Sequence, residues 1–237
     1  MYNSVINYFG TYIYTSVQKN WGNEYQAKIY PNNTTIKWKV MTQLASHNIN
    51  FDDRKKLTLS FDIAKMQEEI KALALGDFVY YNVLPLRSPA HLVDPSLPLP
   101  PPADDYADGS WTEWLDSPEL RNSPYLSSVV DTFRKHSKVT LVRLLRLAPR
   151  ATVKEHTDPT LGLQVPKSVI RLTIPILTND GVEFFLNENL VPMKPGECWY
   201  LRLSDPHRII NGGNTERINM TIDIVPNEWV RSLIQGK

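Results

Sequence analysis

The chain has 237 residues, enough for one domain with a substantial core, and a formal net charge of +1 from 26 basic and 25 acidic side chains. That balance excludes the basic footprint of a nucleic-acid-binding protein, and no apolar run approaches the ~18 residues that would read as a membrane span. The single cysteine, Cys198, excludes an internal disulfide framework and a thiolate-only metal site. Cys198 lies in the apolar run ECWYL and is expected in the core. The opening MYNSVINYFG lacks the basic start and apolar centre of a secretory signal, so the expected location is cytoplasmic.

Residues 1–56 are expected to form an N-terminal extension with no assigned role. It is rich in aromatics and asparagine, and TYIYTSV and TTIKWKV alternate enough for short strands. Residues 57–137 are expected to supply helical support and a proline-rich loop. There LTLSF reads as a strand, and FDIAKMQEEIKALAL carries Ile63, Met66, Ile70 and Leu73 at helical spacing. Asp62 can cap that helix by accepting an orphan first-turn N–H. From about Leu84 to Gly109 prolines are dense; each fixes φ and removes a donor, so neither strand nor helix is expected. A loop of this length is functional or disordered. A cover over a substrate, with Trp111 and Trp114 taking part, and a plain connection with packed tryptophans both remain open. SPYLSSVVDTFRKH is a second helical stretch.

Residues 138–237 are expected to form the core, with 57–237 as one domain. Short period-two or continuous apolar runs are separated by turn residues: VTLVRLLRL, ATVKEH, SVIRLTIPIL, VEFFLN, ECWYLRL, HRIIN and ERINMTIDIV. Many short strands with Asn, Asp, Gly and Pro between them predict a mainly β sandwich or barrel with flanking helices.

His156 and Asp158 stand two apart at the end of one such strand, and residues two apart in extended backbone point the same way. They can aim an imidazole nitrogen and a carboxylate oxygen at one point, and His207, opening a strand 51 residues later, can supply a third ligand. Two histidines and one carboxylate leave three metal positions free, the facial arrangement suited to Fe(II) oxygenases: two positions for a 2-oxo acid and one for O₂. An HxD pair alone is weak evidence, since most are surface chemistry. Arg217, ten residues after His207, adds to it. Its planar fork suits bidentate binding of a carboxylate such as the distal group of 2-oxoglutarate. In RINMTIDI, Arg217, Asn219, Thr221 and Asp223 share one face, which fits either a wet outer face or a barrel interior. Arg171, Thr173 and Pro175 show the same parity in SVIRLTIPI and favour the interior. Arg143 and Arg146 have opposite parity on one strand, so at most one faces the pocket and the other is expected at the surface.

The runs LLRLAPRATVKEHTD, IRLTIPILTNDGVEFFLNE and MKPGECWYLRLSDPHRIINGGNTERINMTIDI, in that order over roughly Val139–Val225, resemble the aspartyl/asparaginyl β-hydroxylase-like dioxygenases, which include bacterial free-proline hydroxylases. The resemblance implies a double-stranded β-helix, that is, a jelly-roll or cupin-type barrel. It implies that His156, Asp158 and His207 bind iron, that Arg217 binds the 2-oxoglutarate tail, and that Arg171 binds a carboxylate of cosubstrate or substrate. Thr173 stands where some aspartyl hydroxylases place a histidine on the cosubstrate. The vertebrate-type enzymes carry Gly where this chain has Asp158, so the full triad is more similar to the proline-hydroxylase branch.

The implied activity is Fe(II)- and 2-oxoglutarate-dependent hydroxylation of an amino acid or of a peptide or protein side chain, of Asp/Asn or Pro type, with release of succinate and CO₂. O₂ is the co-oxidant and ascorbate a supporting reductant; neither nucleic acid nor a membrane is an expected partner. Two other readings stay open: a non-catalytic cupin-type protein that binds metal or ligand without turnover, and a Zn- or Mn-dependent isomerase or hydrolase on the same barrel.

Overall fold

The structure is a computed structural model that describes residues 3–8, 11–19, 25–28, 52–100, 109–163 and 168–236. The chain divides into two compact units, 1–50 and 51–237. In the first, β1 (Asn3–Tyr8), β2 (Thr11–Lys19) and β3 (Tyr25–Lys28) make an antiparallel sheet in that order. The expected TYIYTSV strand falls in β2, and TTIKWKV lies outside the described residues.

The second unit starts six residues ahead of the expected boundary at 57, because β4 (Arg54–Ser60) uses Arg54–Lys56 to pair with a later strand. Helix α1 (Ile63–Ala72) follows, and Asp62 caps it as expected, accepting from Ala64 N at 3.1 Å and Lys65 N at 3.3 Å. Then come β5 (Tyr81–Pro89), a single turn α2 (Ala90–Val93), β6 (Trp114–Asp116), the short α3 (Pro118–Arg121) and α4 (Pro124–Arg134). The remaining strands are β7 (Val139–Leu147), β8 (Thr152–His156), β9 (Ile170–Leu177), β10 (Val182–Leu186), β11 (Asn189–Leu190), β12 (Glu197–Leu201), β13 (His207–Asn211) and β14 (Arg217–Ile224). Helix α5 (Glu228–Gln235) closes the unit.

The strands form a seven-stranded sheet in the order β4-β12-β9-β14-β7-β5-β6 and a four-stranded sheet in the order β11-β10-β13-β8, with antiparallel pairing throughout. From β7 to β14 the chain passes back and forth between the two sheets, which is the double-stranded β-helix. The alternation of side chains then sets two cores. Leu144, Leu172, Ile174, Met220 and Ile222 point out of the large sheet onto Met66 and Ile70 of α1, Leu126, Val130 and Phe133 of α4, and Val230 of α5. Leu147, Phe184, Leu186, Trp199, Leu201 and Ile209 fill the space between the sheets. Cys198 is fully buried in the first core, where loss of water pushes its thiol pKa up and keeps it protonated.

One expectation fails in the proline-rich stretch. Leu84–Pro89 belongs to β5, although Pro85 and Pro89 fall inside it. Pro85 sits at a register shift of the β5–β7 ladder, and β6 borders β5 only at Arg87–Pro89, so its missing N–H interrupts no regular pairing on the outer side. Residues 101–108 lie outside the described residues. The turn Pro195–Glu197 ahead of β12 needs glycine at its centre: Gly196 has φ of +80°, and a Cβ there would lie 2.7 Å from the Phe61 carbonyl.

Helix α4 is capped from outside its own sequence. Ser123 makes no side-chain cap, and the Glu69 carboxylate of α1 instead accepts from Tyr125 N at 2.7 Å and Leu126 N at 2.8 Å. Glu69→Ala should therefore cost about 2 kcal/mol in urea unfolding, the scale of hydrogen bonds to a charged group. Glu69→Gln should cost less, because it keeps one acceptor.

Candidate metal centre

The end of β8 and the start of β13 face each other in register, which pairs His156 with His207 across the small sheet. Their ring centroids are 4.2 Å apart. Each Nδ1 lies on a backbone carbonyl, His156 on Lys154 O at 2.8 Å and His207 on Asp205 O at 3.0 Å. Those bonds fix the Nδ1–H tautomer and leave both Nε2 lone pairs free for a cation. Burial holds the His207 pKa below the usual histidine value, opposed by its bond to Asp205 and reinforced by His156, so the ring is neutral and able to ligate. Asp158 lies just beyond β8, anchored by its N–H to Leu203 O at 2.8 Å and by its C=O, which accepts from Leu161 N at 2.9 Å. One ligand atom from each of His156, Asp158 and His207 lies within 4.8 Å of the others. The two-imidazole, one-carboxylate donor set fits a divalent first-row ion such as Fe(II).

The same three residues line a cavity of about 70 Å³ between the sheets, shared with Tyr81, Leu145, Val153, Phe184, Leu203, Ile209, Arg171, Thr173, Arg217, Asn219 and Thr221. The polar face of β14 is thus the barrel interior, and both faces of that strand are buried. Arg217 is 3% exposed and pairs with no carboxylate among the described residues. With its amide turned so that oxygen faces the guanidinium, Asn219 accepts from Arg217 Nη2 and donates to Ile218 O at 3.2 Å. Burial pushes the Arg217 pKa down to about 10, which still leaves it charged at neutral pH. A buried guanidinium without an anion is costly unless an anionic ligand completes it. Thr173 is buried in the same cavity, paired with Thr221 of β14 and Trp199 of β12.

Arg171 also points inward, but its guanidinium is already shared by two carboxylates, Asp223 and Asp158. Arg143 is the inward member of its pair. Its Nη2 approaches Asp223 at 3.5 Å, while Nε and Nη2 are buried and make no hydrogen bond. Arg146 corrects an expectation: it is buried, not at the surface. It donates to Glu216 at 2.9 Å and to Gly76 O at 2.8 Å, with its guanidinium 4.2 Å from the Phe78 ring centroid.

Tyr81 was not expected in the site. Burial raises its phenol pKa, against the charges of Arg143, Arg217 and Arg171, and it joins the cavity because β5 extends the large sheet past β7. Trp111 and Trp114 pack edge to face at 5.9 Å, and Trp114 Nε1 donates to Gly109 O; neither lines this cavity. A larger, shallower hollow of about 740 Å³ lies elsewhere, beside Arg87, Trp114, Arg134 and Lys138. Its cations are already engaged, Arg87 and Arg134 by Asp116 and Lys138 by Gly109 O. Among the described residues no helix is long and apolar enough to cross a membrane.

The family model described as "Aspartyl/Asparaginyl beta-hydroxylase" matches residues 109–226, about half of the chain. The chain is 26% identical over 122 residues to an L-proline cis-4-hydroxylase of Rhizobium meliloti (strain 1021), covering 52% of this chain and 42% of that relative's length. Among solved structures, it is similar to an oxidoreductase of the 2OG-Fe(II) oxygenase family from Burkholderia pseudomallei at 14% identity and a TM-score of 0.49, covering 83% of this chain and 93% of that one. It is also similar to the viral collagen prolyl hydroxylase of Paramecium Bursaria Chlorella virus-1 at 12% identity and a TM-score of 0.46, covering 73% and 96%. Over residues 109–226, the segment that carries all three candidate ligands and Arg217, the chain belongs to the aspartyl/asparaginyl β-hydroxylase family.

Proposed function

We propose that the chain is an Fe(II)- and 2-oxoglutarate-dependent dioxygenase that hydroxylates an amino acid or a peptide side chain of Asp/Asn or Pro type. The observation that carries this reading is one cavity holding both a His–Asp–His cluster and a buried arginine with no carboxylate partner among the described residues. His156 and His207 would bind the metal through Nε2 and Asp158 through a carboxylate oxygen. Iron with 2-oxoglutarate and O₂ supplies oxidative decarboxylation to succinate and CO₂, with the second oxygen atom delivered to the substrate. Arg217 binds the distal carboxylate of the cosubstrate as a bidentate partner, and Thr173 of the same cavity offers the cosubstrate a hydroxyl. Leu145, Val153, Phe184, Leu203 and Ile209 keep the chamber poor in water.

Arg143, with two nitrogens that make no hydrogen bond among the described residues, is assigned to a carboxylate of the substrate. Ascorbate, as a reductant that keeps iron in the ferrous state, and a cytoplasmic setting belong to the same reading.

The test is succinate release by anaerobically purified protein given Fe(II), ascorbate, 2-oxoglutarate and O₂. Slow succinate formation without added substrate is expected, accelerating when the right amino acid or peptide is supplied. No succinate, together with no 2-oxoglutarate binding by calorimetry, would leave a non-catalytic cupin-type binding protein as the better description.

A further inference from the structure

Asp223 is a carboxylate at 1% exposure in the barrel interior, and the roles given above to the cavity residues leave it unexplained. Its two oxygens occupy two of the three nitrogens of Arg171: Nε donates to Oδ1 at 2.7 Å and Nη2 to Oδ2 at 2.9 Å. The third nitrogen, Nη1, donates to Asp158 Oδ2 at 3.1 Å. A guanidinium is a rigid planar fork, so seating two nitrogens on Asp223 fixes the direction of the third. Asp158 therefore receives one bond, on one oxygen, from a cation whose charge is already matched. Its other oxygen takes no bond from this arginine.

We propose that Asp223 is a positioning residue of the metal centre, acting through Arg171 to hold Asp158 as a one-oxygen ligand. The proposal rests on reading His156, Asp158 and His207 as a metal site. Without the Asp223 carboxylate, Arg171 becomes a buried cation whose remaining carboxylate partner is Asp158. Arginine favours two parallel bonds to a carboxylate, so it would take both Asp158 oxygens and compete with the metal, while repelling it by charge. A purely structural ion pair between β9 and β14 makes a different prediction: loss of stability, with metal affinity unchanged in the folded fraction.

The experiment is calorimetric Mn(II) binding to the full chain, as wild type, Asp223→Asn, Arg171→Lys and the double variant Arg171→Gln/Asp223→Asn, with the metal-free melting temperature of each. Asp223→Asn should weaken Mn(II) binding by about 10–100-fold, the range for losing a group that orients a metal ligand. Arg171→Lys should weaken it too, since an ammonium keeps the charge but cannot seat both carboxylates in one fixed plane. The double variant removes the competing cation and should bind within about threefold of wild type, a suppression that only coupled residues produce. Unchanged affinity in either single variant overturns the proposal, as does a double variant that binds no more tightly than Asp223→Asn. Should Asp223→Asn fail to fold, Arg171→Lys carries the test, because it keeps the Asp223 carboxylate and with it the ion pair to Arg143. A wild type that binds no Mn(II) overturns the metal-site reading itself, whereas wild-type binding with unaffected variants overturns the role of Asp223 alone.

Discussion

His207→Ala is expected to abolish 2-oxoglutarate turnover and to weaken divalent metal binding by more than about 100-fold, beyond the loss typical of groups that merely orient a ligand. His207 is the buried member of the cluster, held neutral by its surroundings and pinned by Asp205 O so that Nε2 is free. It also closes the site from the small sheet: its ring lies 6.0 Å from Phe184 in a nearly parallel stack and 4.2 Å from His156. Its ring bonds to a backbone carbonyl, so the variant should fold, with a destabilisation of about 1–2 kcal/mol from the space left beside Phe184. The measurements are succinate release and Mn(II) calorimetry on the same folded sample. Turnover that survives in His207→Ala would remove the metal assignment, whatever the fold.

The second large effect concerns Arg217 and takes the form of a split between binding and stability. Arg217→Met should raise the KM for 2-oxoglutarate by on the order of 100-fold or more, the scale of removing one partner of a buried charge pair. The same substitution should leave the melting temperature of the ligand-free protein unchanged or raise it. In that state the guanidinium is 3% exposed with no carboxylate partner among the described residues, and an apolar side chain of similar length avoids the cost of burying the charge. Arg217→Lys should fall between, because a point charge remains without the fork. A drop in melting temperature together with an unchanged KM would mean that Arg217 serves the barrel and not the cosubstrate. Thermal melts with and without 2-oxoglutarate separate the outcomes directly, since a ligand that binds only the folded state raises its apparent stability.

Much of this arrangement is legible in the chain because strand periodicity and polarity coincide. VTLVRLLRL, HRIIN and RINMTIDI each match an observed strand end to end, and their alternation places Arg217, Asn219, Thr221 and Asp223 on one face. Whether that face is wet or enclosed depends on the opposing sheet, which is built from residues far away in sequence. Pro85 was misleading for a related reason: proline argues against a strand only where its missing N–H would have had a neighbour, and that depends on register. Arg146 depends on Glu216, Gly76 and Phe78 to be buried, and only Glu216 comes from a strand-adjacent position that pairing would suggest. Tyr81 precedes a stretch that reads as loop, and no local signal places it against the barrel. Arg171 is the most instructive residue. Parity correctly turns it inward, but its neutralisation by Asp223 and Asp158 joins β9, β14 and the end of β8, and no single-strand pattern records that.

The position of the two histidines has a consequence for local opening. Strand β14, which carries Arg217 and Asp223, is hydrogen-bonded on both sides, to β7 and β9, and buried on both faces. Strand β8, which carries His156, is the terminal strand of the small sheet, bonded only to β13 among the described residues and largely exposed. The site therefore spans a slowly opening centre and a readily fraying rim of the same fold. A cation held by His156, Asp158 and His207 would act as a crosslink from the rim inward, slowing amide exchange along β8 while leaving β14, already protected, nearly unchanged.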